Sequence, residues 1–367
     1  MTRLPDHLIL ENILPRLPVR SLFRFKSVCK DWLYAISRHD FAKSHLRYSS
    51  GRPHNFLLLA NDSERCNYVF NLLSYDEIQH DLKHVILPLD IDNNGVGGVI
   101  DIVGSCDGLV CLYRELNQHR TFYLWNPAIR QSQEIDQIVE LEEIEPFMFT
   151  AAYGFGHGSY TDDYKIVAIF TSYTNDLNTH LYVYSLVIGK WRRIACVLDN
   201  NRVSTIGIHK GVLIDNTVYW PLRIRDQGDQ ENRVVGFNLD DEQLEVHPWM
   251  SWLLQESEAN LPLFGIQGCL SLCRYVDNTC FDVWMLKDRN DWNSWEKLFY
   301  VNVGYVDFIH FSKNGKCLVH HLKELKVIDQ GQDVTQCHQG DDTNLGGHYD
   351  GHLWDVEDYI ESFVWPF

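Results

Sequence analysis

One short motif recurs along most of this chain, and its spacing limits the available folds more than any other feature. The copies are Tyr68-Val-Phe-Asn-Leu, Phe122-Tyr-Leu-Trp-Asn-Pro, Leu181-Tyr-Val-Tyr-Ser-Leu, Val234-Val-Gly-Phe-Asn-Leu, Phe281-Asp-Val-Trp-Met-Leu and a weaker Lys323-Glu-Leu-Lys-Val-Ile-Asp. Their first residues lie 54, 59, 53, 47 and 42 residues apart. They are rich in aromatic and β-branched residues, which suit a pleated strand. A polar turn and a second short strand follow most copies, as in Gly189-Lys-Trp-Arg-Arg-Ile and Asn293-Ser-Trp-Glu-Lys-Leu. Another hairpin precedes most of them, as in Ser105-Cys-Asp-Gly-Leu-Val-Cys-Leu and Ser312-Lys-Asn-Gly-Lys-Cys-Leu-Val. Asp-Gly and Asn-Gly supply the positive φ that tight hairpins need. Roughly four strands per ~50 residues is the period of kelch-type propeller blades, so the copies predict about six blades. Two packed β-sheets without radial symmetry are the alternative.

The first 46 residues read differently. Leu10, Ile13, Leu14 and Leu17 recur at i, i+3, i+4 and i+7, and Phe25, Val28, Cys29, Trp32, Leu33 and Ile36 continue the helical rhythm. Pro15 and Pro18 interrupt it, because proline has no N–H to donate within a helix. The pattern predicts a helix over residues 6–14 with Asp6 as N-cap, a turn of helix after Pro18, and a longer helix over residues 27–37. A piece this small, with this much apolar surface, rarely folds stably alone below about 50 residues. It must dock on the rest of the chain or on another protein.

Charge divides along the same line. Residues 1–50 hold nine Lys and Arg against four Asp and Glu, a net of +5, so the remainder carries −23 of the overall −18. An acidic body argues against nucleic acid and anionic membrane as its partners, since phosphates require Lys and Arg. No run approaches the ~18 apolar residues of a membrane span, and the N-terminus reads as an amphipathic helix rather than a secretory signal. The 10 Cys include no CxxC pair. A reducing cytoplasmic or nuclear setting follows, with the cysteines as buried thiols.

The head resembles the F-box, which docks substrate receptors onto the Skp adaptor of cullin-based ubiquitin ligases. The residues that carry this are Leu4-Pro5, Ile13-Leu14, Leu17-Pro18, Leu22, Arg24-Phe25, Val28-Cys29-Lys30 and Trp32, with Phe41 and Leu46 beyond them. The resemblance implies an adaptor surface drawn from Leu4, Pro5, Ile13, Leu14, Leu17, Pro18, Leu22, Val28, Cys29 and Trp32, some of which must instead be internal core. The body resembles the F-box associated domain of plant F-box proteins, through GSCDGLVCL at Gly104, LWNPAIRQ at Leu124, YGFGHGSYTDDYKIV at Tyr153, GVLIDNTVYW at Gly211 and VVGFNLDDEQ at Val234. The ending DYIESFVWP at Asp358 is similar to the S-locus branch, whose members recognise secreted pistil ribonucleases.

The fold expected is therefore an α+β multidomain chain: a small helical F-box over residues 1–46, then an all-β, propeller-like domain of about six blades over residues 47–367. The function implied is that of a non-catalytic substrate receptor in a Skp–cullin–F-box ubiquitin ligase, with a protein target on the β domain. A propeller enzyme with an unrelated helical extension is the alternative. Acid-rich stretches at residues 134–145 and 240–242, notably Glu140, Glu142, Glu143, Glu145, Asp240 and Asp241, read as exposed loops that would suit a basic target. The polar stretch over residues 225–233 reads as a long exposed turn.

Other constellations carry less. Gly154-Phe-Gly-His-Gly158 lacks the Lys-Ser/Thr and helix of a phosphate loop and precedes a strand. Cys337, His338, His348 and His352 have no helical spacing that would gather metal ligands, and His320 and His321 in a strand would point to opposite faces. There is no Gly-x-Ser-x-Gly elbow and no HExxH helix. Neither a catalytic residue, a metal ligand nor a cofactor is assigned. Three short helices also occur in DNA-reading helix-turn-helix proteins, but two prolines beside an apolar Leu-Pro surface suit protein docking better.

Overall fold

The computed structural model of the chain describes residues 5–49, 55–62, 67–74, 83–85, 99–116, 119–136, 138, 148–172, 179–198, 202–204, 209–226, 229–248, 262–276, 280–302, 308–321, 324–328 and 352–366. The chain divides into two compact units. Met1–Glu77, Asp81–Ile135 and Trp354–Phe367 form the first; Ile78–His80 and Asp136–Leu353 form the second.

The first unit begins with the helical head. The Pro5 carbonyl accepts hydrogen bonds from the Leu8 and Ile9 amides, so Pro5 holds the cap position and Asp6 is the first helical residue rather than the expected N-cap. Helix α1 (Asp6–Leu8) runs on through a π turn (Ile9–Ile13) and a 3-10 turn (Leu14–Arg16). Pro15 forces that change, because it cannot donate to the helical ladder. Pro18 then caps α2 (Val19–Phe25), which is two turns long instead of one. Ser27 Oγ donates to the Arg24 carbonyl at 2.6 Å, and Cys29 is extended with its Sγ accepting from the Trp32 amide at 3.5 Å. These caps delay α3 (Lys30–Ile36) by three residues from its expected start. A further helix, α4 (His39–Ser49), was not expected. Its buried face is Phe41, Ala42, His45 and Ser49, and two polar residues in that stripe weaken the apolar periodicity.

Two antiparallel sheets complete this unit. The first has the order β25 (His352–Tyr359), β1 (Asn55–Asp62), β2 (Asn67–Ser74), β3 (Lys83–Val85). The last strand of the chain thus pairs with the first. The second sheet runs in sequence through β4 (Val99–Cys106), β5 (Leu109–Leu116), β6 (His119–Asn126) and β7 (Gln131–Ile135). Asp107 and Gly108 link β4 to β5 with φ of 55° and 82°, the geometry foreseen for an Asp-Gly hairpin. Leu57, Leu59, Phe70, Ile102, Val110, Trp125 and Tyr359 share one core between the two sheets. Each such fully buried side chain contributes roughly 1.5–3 kcal/mol.

The second unit holds four sheets. The third has the order β11 (Lys190–Ile194), β10 (Thr179–Ser185), β9 (Asp163–Ser172), β8 (Met148–Gly158), β13 (His209–Lys210). The fourth is β12 (Arg202–Ser204), β15 (Thr217–Asp226), β16 (Asp229–Asn238), β17 (Leu244–His247), with β14 (Val212–Ile214) also on β15. The fifth is β18 (Leu263–Ile266), β19 (Cys269–Tyr275), β20 (Cys280–Leu286), β21 (Trp295–Asn302); the sixth is β22 (Phe308–Phe311), β23 (Cys317–His321), β24 (Glu324–Ile328). Gly154, Gly156 and Gly158 occupy one face of β8, where a Cβ would meet Val218, Leu213 or Thr161 at 2.4–2.6 Å. These glycines let the third and fourth sheets approach, which is why the Gly-rich motif is a strand and not a loop.

Six sheets are thus present among the described residues, in chain order. The copies of the sequence motif fall on β2, β6, β10, β16, β20 and β24, one in each sheet. This is the all-β propeller architecture that the repeat predicted. Two expectations need correction. Residues 225–233 form no long turn: β15 and β16 pair through Arg225–Gln230 and Asp226–Asp229, leaving two residues between them. Strand pairing is a backbone property, so it persists here without apolar side chains. Glu134 and Ile135 also belong to a strand, β7, with Ile135 buried.

Candidate functional site

The head sorts its apolar residues into three groups. Leu14, Val19, Leu22 and Ile36 are closed to solvent and form its internal core. Leu14 and Leu22, both named above for the adaptor surface, are therefore scaffold. Buried with them is His45, whose Nε2 lies 3.0 Å from the Leu17 carbonyl and whose Nδ1 lies 3.2 Å from Ser49 Oγ. A carbonyl only accepts, so Nε2 carries the proton and Ser49 donates to Nδ1. This bond pins the extended Leu17-Pro18 elbow between the 3-10 turn and α2.

A second group faces solvent. Leu8 and Ile13 project from the first helical stretch, and Val28 (59% exposed), Leu33 and Tyr34 (71%) from α3 and the turn before it. Pro5, Pro18 and Cys29 are exposed as well, and Leu17 and Trp32 are half-buried. Trp32 is held edge-on by Phe25 at 5.6 Å. Cys29 is thus an exposed capping thiol rather than the buried one expected, whereas burial pushes the Cys111 and Cys273 thiols up, as expected for inert core cysteines. Leu4 lies outside the described residues.

The third group faces the end of the chain. Phe23, Phe41 and His45 surround Phe363, with ring centroids 5.2, 6.4 and 5.5 Å away. Lys26 Nζ sits 5.3 Å over the same ring, and its partial burial lowers its pKa. Nothing in the ending DYIESFVWP singles out Phe363 for this place.

In the second unit, the acid-rich turn at residues 240–242 is mostly engaged internally. Asp240 Oδ1 accepts from the Tyr160 and Thr161 amides at 3.0 Å, and Oδ2 accepts from Asn216 Nδ2 at 2.7 Å. Partial burial opposes its charge, but the bonds from Asn216, Thr161 and Tyr160 hold its carboxyl below the ordinary range. Asp241 is exposed, accepting from the Gln243 amide at 3.0 Å. Glu242 lies between Lys165 and Arg192. Glu140, Glu142, Glu143 and Glu145 lie outside the described residues, as do Cys337, His338 and His348. Among the described residues no group of three potential metal ligands comes together, and no helix is long and apolar enough to cross a membrane.

The body also presents apolar side chains at turn tips. Tyr160 (92% exposed) follows β8, and Val187 and Ile188 link β10 to β11. Buried Asp163 fixes the latter turn, accepting from Ser185 Oγ at 2.6 Å and from the Val187 amide at 3.0 Å.

Comparison with known proteins follows this division. The model of the F-box domain matches residues 1–44, and that of the F-box associated beta propeller domain matches residues 56–344. The chain is 25% identical over 347 residues to F-box protein CPR1 of Arabidopsis thaliana, spanning 87% of this chain and 80% of that protein. It is 26% identical over 318 residues to the Arabidopsis thaliana F-box/kelch-repeat protein At3g23880, spanning 82% and 80%. Among solved structures, TolB from Acinetobacter baumannii aligns with a TM-score of 0.42 at 9% identity, over 79% of this chain and 66% of that one.

Proposed function

Because the chain belongs to the F-box associated beta propeller family and carries an F-box ahead of that domain, we propose that it is the substrate-recognition subunit of a Skp–cullin–F-box ubiquitin ligase. The observation that carries this reading is the head's unburied apolar set. Ile13, Val28, Leu33 and Tyr34 remain in solvent although the head has a closed core of its own. Large apolar side chains left exposed beside a closed core fit a partner surface. With Pro5, Leu17, Pro18, Cys29 and Trp32, these residues are assigned to the Skp-type adaptor, through which a cullin is recruited. The chain itself makes and breaks no bonds. It raises the effective concentration of target lysines near a conjugating enzyme.

The β domain takes the target. Its net −23 favours a basic protein surface, with Glu140, Glu142, Glu143, Glu145 and Asp241 as the carboxylates assigned to it. A basic secreted ribonuclease, of the class read by the S-locus branch, meets that requirement. Complementary charge speeds encounter more than it adds affinity.

A pull-down with purified adaptor tests the docking half. Ile13→Ala combined with Pro18→Ala and Val28→Ala should weaken binding by about 2–4 kcal/mol, as loss of central anchors does, and leave the head folded. Leu14→Ala should instead unfold the head. Undiminished binding by the folded triple variant would sink the assignment. Deleting residues 1–49 separates the enzyme alternative: a receptor loses its ligase partners, whereas an enzyme keeps its activity.

A further inference from the structure

We propose that residues 360–366 form a strap that fixes the helical head to the sheets of its own unit, with Phe363 as the anchor, and that Phe363 is thereby a positioning residue for ubiquitin transfer. The strap stands on geometry alone. The role in transfer rests on the receptor reading above.

The strap leaves β25 at Tyr359 and runs on without strand pairing. Successive side chains of an extended segment point to opposite sides, and this one uses both. The Ser362 side chain and the Val364 carbonyl face the second sheet. Ser362 Oγ donates to the Asp107 carbonyl. Asn126 Nδ2 donates to the carbonyls of Ser362 at 3.2 Å and Val364 at 2.8 Å. Gly108 makes room for the passage, since a Cβ there would lie 2.7 Å from the Ile360 carbonyl. Just before the strap, Tyr359 OH accepts from the Ala128 amide at 3.1 Å. Phe363, between Ser362 and Val364, faces the other way. It is 7% exposed, enclosed by Phe23, Phe41 and His45 under the Lys26 ammonium.

The head is a small helical module that precedes the sheets in the chain. Such a module moves freely unless a packed interface holds it. The strap provides that interface, on a face of the head formed by α2 and α4. The residues assigned to the adaptor, Ile13, Val28, Leu33 and Tyr34, stay exposed and lie outside α2 and α4, the elements whose rings enclose Phe363. Adaptor binding and head fixation therefore occupy separate surfaces. A receptor working through proximity needs a fixed geometry between its two ends, and Phe363 supplies the contact at one end.

Hydrogen exchange on the full-length chain tests the strap, comparing wild type with Phe363→Ala, Phe363→Leu and, from the head side, Phe23→Ala. In Phe363→Ala the amides of His39–Ser49 should exchange faster by about a hundredfold, the scale of losing a buried aromatic ring, while β4, β5 and β25 keep their protection. Phe363→Leu should restore most of the difference, and Phe23→Ala should reproduce part of it. Unchanged protection of α4 in Phe363→Ala overturns the strap. So does equal loss of protection in β25, which would make Phe363 a plain core residue.

Assembly with purified adaptor, cullin and conjugating enzymes tests the positioning role, with the chain's own lysines as acceptors. Adaptor affinity should stay within about twofold of wild type, while ubiquitin mapped by mass spectrometry spreads over more lysines in Phe363→Ala. An unchanged map overturns positioning. Failure of the wild-type chain to bind the adaptor overturns the receptor reading, and the exchange comparison still decides the strap.

Discussion

At the scale of single residues, Glu242 couples two cations in the second unit. Its Oε1 lies 2.8 Å from Lys165 Nζ and also contacts Arg192, and the Lys165 side chain is only 4% exposed. Lys165 donates as well to the Leu239 carbonyl, so one ammonium ties β9 to the turn after β16. Burial alone would raise the Glu242 pKa. Hydrogen bonds and charge from Arg192 and Lys165 outweigh it and hold the carboxyl below its ordinary value of 4.5. A depressed carboxyl pKa contributes stability that is fully present above the unfolded value and is lost as pH falls through the folded one. Glu242→Gln should therefore cost about 3 kcal/mol at pH 7, mainly by leaving a buried ammonium without its counter-charge. Urea unfolding at pH 7 and pH 3 checks this, and the gap between variant and wild type should narrow at the lower pH. Sequence pattern placed Glu242 in an acidic exposed turn, because composition reports charge and not its partners. It likewise marked Leu14 and Leu22 as apolar without separating core from contact, since both roles demand the same side chains.

At the scale of elements, the repeated motif was legible because it has a local job. Its fifth residue is Asn126, Ser185 or Asn238 in three copies, and each closes the turn that follows its strand. Asn126 Oδ1 accepts from the Ala128 amide at 3.0 Å, Ser185 Oγ from Ile188 at 3.1 Å, and Asn238 Oδ1 from Asp240 at 2.8 Å. Side chains of this kind favour turns because they replace backbone hydrogen bonds. Asn126 does more than its counterparts, as its amide also holds two strap carbonyls. Asn126→Ala should cost about 2–4 kcal/mol, leaving buried polar groups without partners, and Ser185→Ala less. Thermal unfolding of the two variants against wild type measures the difference, and equal losses would show that the strap bonds contribute nothing. Helix α4 was illegible for the opposite reason. His45 and Ser49 fill core positions through a hydrogen-bonded pair, so no apolar stripe announces the helix. The β15–β16 hairpin escaped notice because residues 225–233 include no apolar residue to mark a strand.

At the scale of the whole molecule, the first sheet depends on the far end of the sequence. β1 and β25 are separated by nearly the full chain, yet they lie side by side. The tail Tyr359-Ile-Glu-Ser-Phe-Val-Trp is apolar enough to read as a closing strand. The strand instead ends at Tyr359, and the residues after it became the strap. Alternation of apolar residues identifies a segment that is extended, but it cannot say whether a neighbouring strand or a helical head covers it. Removing residues 354–367 tests what this closure contributes. The deletion takes away most of β25, including Tyr359, which is fully buried beside Leu57, Leu59 and Trp125. It would leave the β1 edge open along an apolar strand, and such edges pair with other chains. It would also remove Phe363 from beneath Phe23, Phe41 and His45. The truncated chain should therefore aggregate on expression. A milder deletion of residues 360–367 keeps β25 whole and should yield a soluble chain whose head is loosely held. Size-exclusion chromatography and hydrogen exchange on the pair separate the two effects. A soluble, monomeric product from the larger deletion would mean that the first sheet stands without its last strand, and that the end of the chain serves only to hold the head.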